Sequence, residues 1–135
     1  MRFMLMMNTP RDGYAQYLAW PKQAIEANTA FMHEFTRKLA LAGELVSAAG
    51  LASPEQARLV RAGKDGKPVT DGIFPEAKEY LAGYWIIDVD RAERALEIAA
   101  LASTAPGADV RGADGKVIRH LWIEVREVLG SHRDL

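Results

Sequence analysis

Asp71 and His120 are the two side chains in this sequence best placed to move a proton. Asp71 lies in Val69-Thr70-Asp71-Gly72, a polar turn, and a loop carboxylate beside glycine can orient a ligand or act as a general base. The plainer alternative is turn chemistry, with the carboxylate bonding nearby backbone amides. Asp-Gly recurs at Asp65-Gly66 and at Asp114-Gly115, which keeps that alternative open. His120 opens a run in which Leu121, Ile123 and Val125 alternate with His120, Trp122, Glu124 and Arg126. If helices cover the first set, the second projects from the other face and sets an acid–base group beside an aromatic wall. A structural or interface histidine is the competing account.

Further polar groups frame these two. Glu76, Lys78 and Glu79 form either the mouth of a polar pocket or a solvated charge run. Lys78 or Arg126 is suited to hold a carboxylate. Tyr84, Ile86 and Asp88 share the face of His120 in one register, and Trp85, Ile87 and Val89 do so in the other; alternation alone does not choose. His33 lies about 200° around its helix from Phe35 at roughly 100° per residue, so it is expected to face solvent. The three histidines are widely spaced and cysteine is absent, which matches no metal-ligand spacing. Gly112-Ala113-Asp114-Gly115 is turn composition, not a phosphate loop. No metal and no cofactor is expected.

The elements that must position these groups follow from periodicity. Phe3 to Met7 is a compact apolar run bounded by Asn-Thr-Pro and predicts a buried first strand. Pro21 suits a first helical turn, and Ile25, Met32, Phe35, Leu39 and Ala42 lay one stripe along the helix that follows, which Gly43 ends. Leu45 to Leu51 predicts a short strand. Ala57 to Ala62 and Lys67 to Thr70 flank Gly63-Lys64-Asp65-Gly66 as a hairpin. Gly83 to Val89 is rich in aromatic and β-branched residues and predicts a strand. Asp90 then suits an N-cap, with Glu93 as capping-box partner, for a helix whose apolar face is Ala92, Ala95, Leu96, Ala99 and Ala102. Ser103 to Ala108 reads as a loop. Val110-Arg111 and Lys116 to Val128 flank Asp114-Gly115 as a second hairpin, and 131–135 as a tail.

This order makes an α+β chain: a ferredoxin-like βαβ-βαβ unit with an antiparallel sheet and both helices on one face. The uncovered face calls for a partner, of which a second copy of the chain is the simplest, so a homodimer is expected. With 135 residues, 49% of them hydrophobic and 26% charged, the chain reads as one globular domain over residues 1–130. A net charge of −1 supplies no basic field for nucleic acid or acidic membranes. The apolar start at Met1–Met7 is too short for a signal peptide, and no run reaches the roughly 20 apolar residues of a membrane span. A cytoplasmic protein is the expectation.

Thr70-Asp71-Gly72-Ile73-Phe74-Pro75-Glu76-Ala77-Lys78-Glu79, followed by Gly83-Tyr84-Trp85-Ile86-Ile87-Asp88-Val89, resembles the core of the YCII-related family in its DGPF branch. The likeness runs upstream through Phe35–Val46 and downstream through Ala95-Leu96-Glu97 to Ile123–Val128. Ile73 stands in place of the DGPF proline, Ala52 where the branch commonly has histidine, and Ile98 where it commonly has tryptophan. The resemblance implies a dimeric α+β barrel. It also implies a proposed histidine–aspartate site, helix-borne in some branches, which is what keeps His33 among the candidates.

Two functional expectations follow. One is a homodimeric module that binds a small metabolite or a protein partner without catalysis. The other is a cofactor-independent lyase or isomerase acting on a small organic acid through Asp71 or His120. Fold alone does not choose between them, because function resides in the site.

Overall fold

The computed structural model describes residues 1–71 and 78–130. Four strands make the main sheet: β1 (Arg2–Pro10), β2 (Leu45–Gly50), β5 (Glu79–Asp88) and β8 (Ile123–Glu127), in the order β2-β5-β1-β8. Every adjacent pair is antiparallel. Two helices, α2 (Lys22–Leu41) and α3 (Ala92–Ser103), cross over between strands. The fold is α+β and ferredoxin-like, as expected. Two small ribbons are appended: β3 (Leu59–Ala62) with β4 (Pro68–Asp71), and β6 (Val110–Arg111) with β7 (Val117–Ile118). Both are closed by the Asp-Gly turns. Asp65 Oδ1 accepts from the Lys67 amide at 3.0 Å and Asp114 Oδ1 from the Lys116 amide at 2.9 Å, while Gly66 and Gly115 take positive φ.

The sheet is two-sided because side chains alternate. Phe3 and Leu5 of β1 and Trp85 and Ile87 of β5 face the helices and are buried. They pack with Phe35 and Leu39 of α2 and with Ala95, Ile98, Ala99 and Ala102 of α3. Fully burying a side chain such as Leu5, Ile87 or Ile98 stabilises the fold by about 1.5–3 kcal/mol each. The Trp85 ring meets Phe35 edge-on at 5.3 Å, and its Nε1 donates to Thr36 Oγ1 at 3.3 Å. Pairing of Phe3 with Ile87 and of Leu5 with Trp85 fixes the register. The choice that alternation left open is thereby made: Trp85, Ile87 and Val89 point inward, and Tyr84, Ile86 and Asp88 outward. At Gly83 a Cβ would stand 2.8 Å from the Ala49 carbonyl oxygen, so the close approach of β2 to β5 needs glycine there.

Four sequence expectations are corrected. The α3 N-cap is Arg91, in extended conformation and without a side-chain cap bond, so Asp90 stands one residue outside the helix. Leu96 is 59% exposed, because it lies one helical step, about 100°, from the buried Ala95; Ile98 takes the buried position. The run from Lys116 to Val128 is two strands, not one, and His120 precedes β8 instead of lying in it. The break comes where Ser103 Oγ donates to the Leu121 carbonyl at 2.8 Å and bends the chain onto the end of α3. A short helix, α1 (Gly13–Leu18), joins β1 to α2 and was not anticipated. Among the described residues no helix is long and apolar enough to cross a membrane.

Glu44, just before β2, ties that edge of the sheet to α3. Arg94 donates to its two carboxylate oxygens at 2.8 and 2.9 Å. This hydrogen bonding, opposed by partial desolvation and assisted by the guanidinium charge, holds the Glu44 carboxyl below its ordinary pKa. A depressed folded-state pKa means full stabilisation above the unfolded value, about 4.3, and loss as pH falls through the lowered value. Glu44→Gln is therefore expected to cost about 1 kcal/mol at pH 7, a figure discounted for solvent screening at the partly exposed Arg94. In urea unfolding the gap between variant and parent should shrink as the pH is taken below 4.

Candidate functional site

A cavity of about 570 Å³ opens at one end of the sheet, within the range usual for small-molecule sites. Its floor is where β1 ends and β5 begins, with Met7, Thr9 and Leu81. One wall is aromatic. Tyr14 and Tyr17 of α1 and Trp20 just after it line the space at spacings of three residues. The Tyr14 and Tyr17 rings lie 6.4 Å apart, and Tyr17 meets Trp20 edge-on at 5.3 Å. The opposite wall is the end of α3 and the segment that follows it, residues 102–110, and the rim includes Arg119 and His120.

The two walls are joined by polar contacts between residues far apart in sequence. The Gln16 side chain donates to the Arg111 carbonyl at 2.9 Å and accepts from the Arg111 amide at 2.7 Å, so one side-chain amide imitates a strand neighbour. Asn28 of α2 donates to the Pro106 carbonyl at 2.9 Å. Between these ties the Trp20 indole lies directly on Gly107, where any Cβ would overlap the ring. Trp20 Nε1 is buried with no hydrogen-bond partner among the described residues. Exposed ties of this kind contribute about 1 kcal/mol each, which makes the closure weaker than the core beneath it.

At the rim, His120 Nδ1 lies 3.2 Å from the Ser103 carbonyl oxygen. A carbonyl only accepts, so Nδ1 carries the proton in that bond, and in the neutral ring Nε2 is left as an acceptor. Arg119, beside it, has no hydrogen bond or ion pair with a described residue. Among the described lining residues Asp109 is the only carboxylate, and it makes no ion pair with Arg119.

The residues singled out from sequence fall in several places. Of the candidate proton-moving groups, His120 lines the cavity, while Asp71 and His33 do not. Asp71 ends β4 in an exposed ribbon, opposite Leu59. His33 is exposed on α2, as its helical position required. Glu76 lies outside the described residues. Lys78 is exposed, and its carbonyl accepts from the Arg11 amide at 2.9 Å. Tyr84 and Arg126 stand on the outer face, opposite Met6 and Met4 respectively, and Arg126 makes a loose ion pair with Glu124 at 3.9 Å. Trp122 is 91% exposed and borders a shallower hollow with Asn8, Pro10 and Glu79. The aromatic wall went unread from sequence, although Tyr14, Tyr17 and Trp20, one per helical turn, carried the signal. Among the described residues no cluster of histidine and carboxylate groups is arranged to hold a metal ion.

A family model described as the YCII-related domain matches residues 1–111. The matched stretch includes the aromatic wall and the segment facing it, whereas Arg119 and His120 lie beyond it. No curated protein matches the chain.

Gly107→Ala tests how the walls fit. The added methyl overlaps the Trp20 indole, so the ring must move, at an expected cost of about 1–3 kcal/mol. Urea unfolding followed by tryptophan emission should report both the lost stability and the changed surroundings of the indole.

Proposed function

The chain belongs to the YCII-related domain family, and on that premise we propose that it is a cytoplasmic homodimer of the dimeric α+β barrel kind, each subunit holding one small organic acid in the cavity beneath α1. Within the family, the likeness of the Thr70–Glu79 run supports the DGPF branch. The observation that carries the binding reading is the cavity itself: a concave, aromatic-walled space with a guanidinium at its rim that pairs with no described residue. The reading is of a binding module, with the rim polar groups orienting the ligand.

Support for the dimer comes from the outer face of the sheet. Met4, Met6, Tyr84 and Ile86 lie together there, half-buried within the single chain. Glu124, Arg126 and Asp88 lie beside them as a polar margin. An apolar centre with a charged rim is the composition of a protein interface.

His120 favours a second reading. With Nδ1 engaged by the Ser103 carbonyl, Nε2 is free to take a proton from a ligand, as a cofactor-independent lyase or isomerase requires. Asp71 is not a cavity residue, so in this version His120 works without it.

Native mass spectrometry of freshly purified protein tests the primary reading in one spectrum. The expected species is twice the 14.9 kDa chain with a small acidic ligand on each subunit. A ligand-free monomer at micromolar concentration contradicts it. Ile86→Glu, which puts a charge at the centre of the outer face, should convert the dimer to a folded monomer by light scattering; a variant that stays dimeric rules this face out as the interface.

A further inference from the structure

We infer that the ligand of this cavity is a planar aromatic carboxylic acid, with its ring against Tyr14, Tyr17 and Trp20 and its carboxylate on Arg119. The inference rests on the cavity reading above and narrows it from any small organic acid to one chemical class.

The wall is the first reason. Three aromatic rings of one short segment line the same space, the Tyr17–Trp20 pair edge-on at 5.3 Å and the Tyr14–Tyr17 pair tilted by 38°. Rings so inclined to one another offer both faces and edges to a flat π-system inserted among them. Such contacts contribute beyond the apolar area they bury, whereas a saturated ring of the same size gains only the area. Met32 of α2 also lines the space, and its thioether is a further favourable neighbour for a ring.

The rim is the second reason. Among the described residues Arg119 is the one guanidinium lining the cavity; it is exposed, and no described residue neutralises it. A planar guanidinium is matched by a carboxylate, which takes two parallel hydrogen bonds from it. Asp109, on the facing wall, does not pair with Arg119, so no described carboxylate competes for that cation. The aromatic wall lies on one segment and the cation on another, so the ligand must have an apolar flat body and an anionic end.

Calorimetric titration of the purified full chain with benzoate, cyclohexanecarboxylate and benzamide tests this directly. Cyclohexanecarboxylate keeps the charge and loses the π-system; benzamide keeps the ring and loses the charge. Benzoate is expected to bind about fivefold tighter than cyclohexanecarboxylate, the worth of about one aromatic pair, and measurably tighter than benzamide. Tyr17→Leu should erase the first preference and Arg119→Gln the second. Equal or reversed affinities for benzoate and cyclohexanecarboxylate overturn the aromatic class. If both acids still weaken in the variants, the cavity reading survives that failure. Benzoate binding that neither variant changes overturns the cavity reading itself, and no benzoate binding overturns the inference. Because Arg119 is exposed, Arg119→Gln and the parent ratios decide the question even if Tyr17→Leu fails to fold.

Discussion

The packing of Trp85, Ile87, Phe3 and Leu5 against Phe35, Leu39 and Ile98 is the contact on which the remaining geometry depends. It selects one face of the sheet for the helices and, since strand side chains alternate, assigns every neighbouring residue to the opposite face. A shift of one residue in β5 would bring Tyr84 and Ile86 inward and drive Trp85 out. The edge-on contact with Phe35 and the bond from Trp85 to Thr36 both oppose that slip. Met4, Met6, Tyr84 and Ile86 are therefore outward-facing because the core claims the residues between them.

The cavity depends on this core but is built of weaker material. It lies past the end of the helix-covered layer, where β1 runs into α1 and α3 into the 104–111 segment. The connecting contacts are polar and largely exposed: Gln16 with Arg111, Asn28 with Pro106, His120 with Ser103. Side chains such as Leu5 and Ile87 are fully enclosed, and each contributes more than any one of these ties. By these contacts the closure opens more easily than the core, which suits the proposed entry and release of a ligand there.

What was legible from the residues divides along the same line. The strands, the two long helices and both Asp-Gly ribbons were readable because each rests on local chemistry: alternation, a stripe at helical spacing, or a glycine at positive φ. The outward position of His33 was readable for the same reason. The face of β5 was not, because it depends on pairing with β1, which alternation within one strand cannot decide. His120 lines the cavity but does not lie on a continuous last strand; the Ser103–Leu121 bond that interrupts that strand joins residues 18 apart. Tyr14, Tyr17 and Trp20 had the spacing of a helix face, yet their shared cavity exists only once Gln16 finds Arg111, 95 residues away. Asp71 ends the β4 ribbon and is not among the described residues lining the cavity; its glycine neighbour lies outside the described residues.

The three tryptophans stand in three different surroundings: Trp20 in the cavity wall, Trp85 in the core and Trp122 on the exposed surface. Their indole N–H signals in a nitrogen–proton correlation spectrum therefore report separately on the three places. Titration with benzoate should move the Trp20 signal in a saturable way, leave Trp85 nearly unchanged and leave Trp122 where it was. A Trp20 signal that stays fixed, or a Trp122 signal that moves in its place, would contradict the assignment of the ligand to this cavity.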